Sequence, residues 1–262
     1  MARPLALVTG ASAGIGAAFA RALAARGHDL AITARRTERL DALAGELRHR
    51  HGVEVMTLAA DLADRDAPAQ LVQAVQGRGV DVLINNAGYG LPGGFGHNDW
   101  VDQASVLQVM LTAPTELAHR LLPGMLARRH GRIVNVASVA GMTPGGVGLY
   151  GPVKRYLIGF SQSLHMECAG TGVHVSALCP GLTWSEFHDV NGMREPLNRA
   201  TPPWLWMGAE AVVEAGLAAV DKNRPVCVPG LANKVIAGLA GALPDRWIMR
   251  LTASQGWRFG EP

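Results

Sequence analysis

The chain has 262 residues, of which 48% are hydrophobic and 17% charged, and it carries a formal net charge of +3. This length and composition allow a large buried core in one α/β domain or in two smaller ones. A charge this small, with basic and acidic residues interspersed, argues against a nucleic-acid partner. The 32 glycines are spread along the chain, which indicates turns and not low-complexity sequence.

Three cysteines, Cys168, Cys179 and Cys227, lack the spacing of metal ligands or of a C-x-x-C pair. We therefore expect buried free thiols in a reduced, cytoplasmic compartment, and no metal site. The first apolar run begins at Leu5, so we expect no cleaved leader. The longest uncharged stretch near the C-terminus, residues 235–244, is too short to span a bilayer. We expect it to pack in the core or between subunits, with contact to a membrane surface as the alternative.

Short apolar runs alternate along the chain with longer segments of helical periodicity. Strands are predicted at residues 5–8, 30–33, 53–58, 80–84, 132–136, 173–178 and 225–228. Helices are predicted at residues 15–26, 37–49, 67–76, 100–129, 150–168 and 209–222, the fourth being bent or broken near Pro114 and Pro123.

Seven strands separated by helices predict a Rossmann-type α/β fold, in which a doubly wound, seven-stranded parallel sheet carries helices on both faces. No internal domain boundary is visible, and we expect a single domain. A dinucleotide-binding catalytic domain is expected over residues 1–230, followed by a C-terminal helical extension over residues 231–262.

The turn between the first strand and the first helix is rich in glycine and reads TGASAGIG over residues 9–16. Glycines at 10, 14 and 16 let the backbone turn sharply, approach a pyrophosphate and pack the helix on the sheet, while the helix N-terminus attracts an anion. A tight strand-to-helix connection is the alternative, but the position after the first strand favours nucleotide binding. The predicted contacts are Gly10, Ser12, Ala13, Gly14, Ile15 and Gly16.

Two arginines, Arg35 and Arg36, follow the second strand at the position where a carboxylate would bind the ribose 2′-hydroxyl of NAD. Their forked donors suit a 2′-phosphate, so NADP(H) is the predicted cofactor. The alternative is that both side chains only solvate the start of a helix, an interpretation that fits Arg36 better than Arg35.

Tyr150 and Lys154 stand four residues apart on a predicted helix and therefore share a face, with Ser138 upstream across a Gly/Pro-rich loop. A lysine ammonium beside a phenol favours the phenolate, so Lys154 is expected to lower the pKa of Tyr150 from about 10 toward the working range. The trio indicates acid/base chemistry. Taken singly, each residue has an ordinary interpretation, as a turn former, a helix-face aromatic and a solvated charge.

Together with Asn85-Asn86-Ala87-Gly88 and Pro180-Gly181, these motifs resemble the short-chain dehydrogenases/reductases from about residue 4 to at least residue 230. Residues 226–230 are similar to the NADP-dependent ketone-reducing branch of that family. The resemblance implies an oxidoreductase that transfers the pro-S hydride of NADPH to a carbonyl carbon. It gives Tyr150 the role of general acid in reduction or base in oxidation.

The resemblance also implies roles for further residues. Lys154 would hold the nicotinamide ribose, and Ser138 would hydrogen-bond the substrate oxygen. Asp61 and Leu62 would hold the adenine, although Asp61 also suits a helix cap. The other implied cofactor contacts are Asn85, Asn86, Ala87, Gly88, Pro180, Gly181, Thr183 and Ser185.

The chain departs from the family pattern in two places. The interval between Ser138 and Tyr150 is one residue shorter than usual, which the glycine-rich loop at residues 145–148 is expected to absorb. Met110 occupies the position of an active-site Asn that supports a helix bend and a proton-relay water. A thioether cannot donate a hydrogen bond, so either a backbone carbonyl freed by Pro114 holds the water or turnover is slowed. We hypothesise a retained but altered relay.

Residues 184–207 carry four aromatic side chains among prolines and are predicted to form a substrate lid; these are Trp184, Phe187, Trp204 and Trp206. An apolar or aromatic ketone would suit such a wall, although the rings can equally pack within the lid or between subunits. In the family the long helix and the Tyr150 helix form subunit contacts, which implies a homodimer or homotetramer. Oxidation of an alcohol or hydroxysteroid and a weakly catalytic NADP(H)-binding sensor remain as alternative functions.

Overall fold

The computed structural model describes residues 2–144, 148–187 and 194–256. Within these ranges the strands are β1 (Leu5–Thr9), β2 (Asp29–Ala34), β3 (Val55–Ala59), β4 (Val80–Asn85), β5 (Gly131–Val136), β6 (Val173–Leu178) and β7 (Val226–Cys227). They form one sheet in the order β3-β2-β1-β4-β5-β6-β7, and every neighbouring pair is parallel. The predicted seven-stranded, Rossmann-type α/β fold is confirmed.

The described helices are α1 (Gly14–Ala25), α2 (Thr37–His51), α3 (Ala67–Ala74), α4 (Trp100–Leu107), α5 (Ala113–Arg128), α6 (Tyr150–Glu167), α7 (Arg194–Ala200), α8 (Ala209–Asp221), α9 (Leu231–Ala242) and α10 (Asp245–Gly256). Side chains alternate across each strand, so β1 sends Ala6 and Val8 to one face of the sheet and Leu5 and Leu7 to the other. Helices α1, α2 and α8 cover the first face, and α3 to α6 cover the second. Both faces are therefore buried, as the near-continuous apolar strands predict.

Two predicted strands are shorter than expected because side chains and prolines end their hydrogen-bonding ladders. The ladder of β3 starts at Val55 instead of residue 53, since the Glu54 N–H is bonded to the Asp29 carboxylate at 2.8 Å. The last strand, β7, covers only Val226–Cys227, with Pro225 and Pro229 on either side. Proline has no N–H for a ladder, so it marks the ends of such a strand.

The long helix predicted at residues 100–129 is interrupted once, by the π-helical segment Gln108–Thr112 between α4 and α5. Pro114 explains this interruption, because its missing N–H cannot bond the carbonyl of Met110 as an α-helix requires. Near Pro123, where a bend or a break is predicted, the helix does not break: α5 continues through Pro123 to Arg128.

Within the predicted lid, residues 184–207, residues 188–193 lie outside the described ranges. Residues 145–147 also lie outside them; they belong to the loop expected to absorb the short interval between Ser138 and Tyr150. In the described part, Trp184 stacks on Trp206 with ring centroids 4.4 Å apart. The Arg194 guanidinium lies 5.5 Å from the Trp184 ring centroid. A backbone bridge between Thr183 and Met207 joins the two ends of the lid.

The segment after β7 forms α9 and α10, and several apolar side chains of α9 are exposed, Leu231, Val235 and Leu239 among them. None of the helices in the described ranges is both long and apolar enough to cross a lipid bilayer. The three cysteines are free thiols; Cys168 and Cys179 are buried and Cys227 is partly buried.

Candidate active site

A crevice opens where β1 and β4 lie side by side in the middle of the sheet. The strand order reverses there, because β2 and β3 continue from β1 to one side and β5 to β7 continue from β4 to the other. Open α/β sheets bind ligands at the carboxyl ends of their strands at such a reversal. The predicted site residues follow the ends of the first six strands or begin α6, so the fold brings them to this edge.

The glycine-rich turn after β1 excludes side chains at two positions. Gly14 has φ +54°, and a Cβ there would lie 2.9 Å from Cβ of Ser185. A Cβ on Gly16 would overlap the carbonyl oxygen of Gly10. Helix α1 begins at Gly14 without a side-chain cap from Ala13, so its first N–H groups are available to a ligand. This backbone cradle at a helix N-terminus fits the pyrophosphate of a dinucleotide.

Asn86 braces the glycine-rich turn against the end of β4. Its side-chain amide donates to the carbonyl oxygens of Thr9, at 2.9 Å, and Gly10, at 3.2 Å. The Thr9 hydroxyl in return accepts the N–H groups of Asn86 and Ala87, at 2.9 and 3.1 Å. These bonds fix the spacing between the two strand ends that flank the crevice.

Asn85 does not line the crevice, contrary to what the resemblance implies. Its side chain is buried and donates to Asn135 Oδ1 at 2.8 Å and to the Pro114 carbonyl at 3.1 Å. Asn135 donates in turn to Ser161 at 2.9 Å, so a buried polar chain joins β4, β5 and α6 behind the site. Sequence reasoning missed Asn135 and Ser161, because a single polar residue inside an apolar run has no distinctive pattern.

Three arginines lie near the end of β2. Arg36 donates to the Ser12 hydroxyl from Nε, at 3.3 Å, and from Nη2, at 3.0 Å. Arg36 and Arg39 both bond the carboxylate of Glu186, and Arg35 lies 3.9 Å from Asp61. Arg39 and Glu186 were not predicted; the periodicity makes Arg39 an ordinary exposed helix residue, and only the fold brings Glu186 to it.

Some of the remaining predicted cofactor residues are buried, and others are partly exposed along the crevice. Leu62 is buried in the core. Asp61 accepts the Ala63 N–H at 3.0 Å in a local turn, and it does not cap α3, whose N-cap is Asp66. The Thr183 hydroxyl donates to the Gly181 carbonyl at 3.1 Å and is buried. The other positions are partly exposed along the crevice; these are Ser12, Ile15, Ala87, Gly88 and Ser185. Pro180 is buried, and its carbonyl accepts the Val139 N–H at 3.0 Å.

Ser138, Tyr150 and Lys154 converge beside this crevice. The Ser138 Oγ accepts the Ala140 N–H at 3.1 Å, which orients the hydroxyl after β5. Lys154 is buried and donates from Nζ to the Val136 carbonyl at 2.8 Å. Its Nζ lies 5.5 Å from the centroid of the Tyr150 ring. The phenol, the hydroxyl and the amine are therefore close together, as their sequence spacing predicts.

Burial controls the pKa values of these groups. It raises the pKa of Tyr150 to about 12, although the Ser138 side chain acts to lower it. Burial also lowers the pKa of Lys154 to about 8, against a smaller opposite effect of Cys179. The expectation that Lys154 brings the phenol toward its working range is therefore wrong for this arrangement, because desolvation dominates. Tyr150 consequently stays protonated at neutral pH, which is the form that a general acid requires.

A profile of the short chain dehydrogenase family matches residues 4–194. The chain belongs to this family. It is 39% identical over 240 residues to "Nodulation protein G" of Rhizobium sp. (strain N33), across 90% of this chain and 96% of that protein. A short-chain dehydrogenase from Sphingobium yanoikuyae in complex with NADPH is 34% identical, with a TM-score of 0.80 over 97% of this chain and 94% of that one. The bulky-bulky ketone specific alcohol dehydrogenase from Comamonas testosteroni is 32% identical, with a TM-score of 0.77 over 97% and 93%.

The resemblance drawn from the motifs is thus confirmed, and this short-chain dehydrogenase is an oxidoreductase of a family that binds a nicotinamide dinucleotide. A second compartment lies against Tyr150. The residues that line it come from the loop after β4, from α4 and from the start of α6; they include Tyr89, Leu91, Gln103, Val106 and Leu149. Phe187 of the lid approaches the same phenol, with ring centroids 5.5 Å apart. The sequence predicted the lid but not the wall after β4.

Met110 of the short-chain dehydrogenase lies in the π-helical segment and is buried in the core. Its Sδ lies 2.9 Å from where a Cβ on Gly88 would stand, so it packs directly beneath the Asn86-Ala87-Gly88 loop. That same Cβ position is 3.6 Å from Lys154 Nζ. Met110 and the Lys154 amine therefore both lie next to Gly88, and an amide at position 110 would bring a hydrogen-bonding group there.

Proposed function

We infer that this short-chain dehydrogenase reduces an apolar or aromatic ketone with NADP(H), using Tyr150 as the general acid. The observation that carries this proposal is the partly buried, protonated phenol of Tyr150, which has Ser138 beside it and a compartment with aliphatic and aromatic side chains against it. A phenol held in this form can give up a proton only to a stronger base, such as the alkoxide that develops on a ketone oxygen.

The roles of the three residues follow from this arrangement. NADPH, when bound, supplies a hydride to the carbonyl carbon. The Tyr150 O–H bond breaks as the new O–H bond of the alcohol forms, and the Ser138 hydroxyl stabilises the charge on that oxygen. The Lys154 amine would hold the nicotinamide ribose, and its Nζ lies 5.5 Å from the centroid of the Tyr150 ring.

Arg35 and Arg36 support the choice of NADP(H) over NAD(H). Both stand directly after β2, and the Arg36 guanidinium already bonds Ser12 in the glycine-rich turn. A planar guanidinium binds phosphate through paired charge-assisted hydrogen bonds, which a ribose hydroxyl cannot match. The similar Sphingobium yanoikuyae structure was determined with NADPH, which favours the same cofactor here.

The lining of the compartment supports an apolar or aromatic substrate. Leu91, Val106 and Leu149 present aliphatic surface, and Tyr89 and Phe187 add two rings near the reacting phenol. Trp184 and Trp206 stack on each other, so we assign them to the lid's own packing rather than to the substrate wall. The ketone specificity in the name of the similar Comamonas testosteroni enzyme agrees with this proposal.

The test is consumption of NADPH by the purified protein with a panel of aryl ketones, diketones and 3-oxoacyl compounds, repeated with NADH. We expect the highest kcat/KM for bulky apolar ketones, and at least about a tenfold preference for NADPH. A preference for NADH would contradict the cofactor assignment. Turnover of secondary alcohols alone would favour the oxidative direction, and tight NADPH binding without any turnover would favour a sensor.

We also propose a homodimer or homotetramer. Trp100 and Val101 are exposed at the start of α4, in the long helical region that forms subunit contacts in the family. Exposed apolar side chains on a helix are suited to a protein interface. Light scattering after gel filtration distinguishes these states, and a monomer at micromolar concentration would contradict the proposal.

A further inference from the structure

Glu186, in the lid, forms ion pairs with two arginines of the amino-terminal half of the chain. Its Oε2 accepts from Arg36 Nη1 at 2.9 Å, and both of its carboxylate oxygens accept from Arg39 Nη1, at 2.6 and 2.7 Å. These hydrogen bonds lower the pKa of Glu186, so its side chain is an anion at neutral pH. The carboxylate thus binds a pair of guanidinium groups at the end of β2.

The same Arg36 side chain reaches into the glycine-rich turn. Its Nε and Nη2 donate to the Ser12 hydroxyl, which leaves Nη1 for Glu186. The neighbouring lid residue Ser185 faces the turn as well, since its Cβ lies 2.9 Å from where a Cβ on Gly14 would stand. The lid is therefore attached to the dinucleotide cradle at two adjacent residues.

These ion pairs are exchangeable. The side chains of Arg36, Arg39 and Glu186 are 45%, 47% and 43% exposed, and ion pairs with this much solvent contribute little to stability. A phosphate monoester carries nearly two negative charges and three acceptor oxygens, so it binds paired arginines more strongly than one carboxylate does.

We propose that Glu186 and the 2′-phosphate of NADP(H) compete for the guanidinium groups of Arg36 and Arg39. Glu186 then limits the affinity for NADP(H), and entry of the phosphate frees the lid at Glu186. Arg39 becomes a third phosphate-binding residue, one turn into α2. This inference rests on the proposed NADP(H) preference, and it specifies which groups set that preference and what opposes it.

The test compares binding of NADPH and NADH to the wild-type protein and to Glu186→Gln by isothermal titration calorimetry, without any substrate. The amide keeps the size of the side chain and removes its charge. We expect Glu186→Gln to bind NADPH about threefold to tenfold more tightly, while its affinity for NADH changes by less than about twofold. The affinity for adenosine 2′,5′-bisphosphate should increase as the affinity for NADPH does, and the affinity for AMP should change as little as that for NADH. Only a 2′-phosphate competes with Glu186 for the arginines.

The matched control is Glu195→Gln, which removes a lid carboxylate that pairs with Arg199 at 3.2 Å on α7. It should leave both affinities unchanged. In an Arg36→Gln/Arg39→Gln background the effect of Glu186→Gln should disappear, since the shared donors are gone.

Weaker NADPH binding by Glu186→Gln would show that the carboxylate orients the arginines for the phosphate, and would overturn the proposal. An unchanged NADPH affinity, or an equal gain for NADPH and NADH, would overturn it as well. A wild-type protein that binds NADH better than NADPH would instead contradict the proposed cofactor, so the two failures are distinguishable.

Discussion

The ionisable groups at the two ends of the crevice differ in their exposure to solvent and in their charge partners. At the catalytic end Lys154 is buried and Tyr150 is partly buried, and no carboxylate pairs with the amine among the described residues. Desolvation shifts both pKa values in the direction that favours the neutral forms. At the cofactor end Arg36, Arg39 and Glu186 are about half exposed, and the one carboxylate pairs with both guanidinium groups. Burial therefore sets protonation at the first end, and exchangeable ion pairs determine which anion binds at the second.

Substitutions at the two ends of the crevice should therefore change different measurements. A buried titratable group affects the chemical step and the pH dependence of stability, because its charged state is costly. A half-exposed ion pair affects ligand affinity and has little effect on stability. Substitutions of Tyr150, Lys154 and Met110 test the catalytic end, and the substitution of Glu186 tests the cofactor end.

The largest effect is expected from Tyr150→Phe, which removes the proposed acid and keeps the ring against Phe187. We expect ketone reduction to fall by about 10³-fold, because proton transfer contributes on the order of 10²–10⁴ to such rates. NADPH affinity should change by less than about threefold. Tyr156→Phe, on the same helix, removes a hydroxyl that bonds Thr115 at 2.8 Å and serves as the control. Near wild-type turnover by the Tyr150→Phe protein would contradict the proposed role of Tyr150 as the general acid.

A moderate effect is expected from Lys154→Met on the pH dependence of stability. The pKa of Lys154 is about 8 in the folded protein and near 10.5 when unfolded, so between these values the unfolded chain binds more protons. The free energy of unfolding of the wild type should therefore rise relative to that of the variant as the pH increases from 8 to 10, by on the order of 1–3 kcal/mol. Urea unfolding without dinucleotide measures this difference.

Lys222→Met, which removes an exposed amine, is the control and should show no such pH dependence relative to the wild type. Above pH 10 the sign reverses for Tyr150, whose pKa is raised to about 12: the folded protein then holds the extra proton, and stability falls. A constant difference between wild type and Lys154→Met from pH 7 to 10 would mean that Lys154 is not desolvated.

The smallest effect on activity is expected from Met110→Asn. The amide places a hydrogen-bonding group beside Gly88 and Lys154, so kcat should stay equal or rise by up to about threefold. Stability should fall by about 1–3 kcal/mol, since a polar group replaces a buried thioether. Met110→Leu, which conserves volume, should leave both nearly unchanged. A large loss of kcat in Met110→Asn with intact folding would show that Met110 shapes the substrate pocket.

Much of the fold was predictable because its signals are local. The strands are visible as short apolar runs, and the turn at residues 9–16 is visible from its glycines. Pro114 predicted an interruption of the long helix. Pro123 predicts a bend or a break by the same rule, but α5 continues through it to Arg128, so the local signal alone does not decide the outcome.

The candidate site was predictable as a set of residues but not as an environment. Spacing alone brought Tyr150, Lys154 and Ser138 together, because i and i+4 positions share a helix face and strand ends share a sheet edge. The direction of the Tyr150 pKa shift was predicted wrongly, because desolvation depends on every neighbour and no motif records it.

The sequence by itself determined the order of the elements, the backbone cradle and the spacing of the proposed acid/base trio, since these follow from covalent geometry and residue type. Only the tertiary structure decided that Asn85 turns into the core, that Met110 packs beneath Gly88, and that Glu186 reaches Arg36 and Arg39 across about 150 residues of chain. Contacts between distant segments carry no periodicity, so they exist only once the chain has folded.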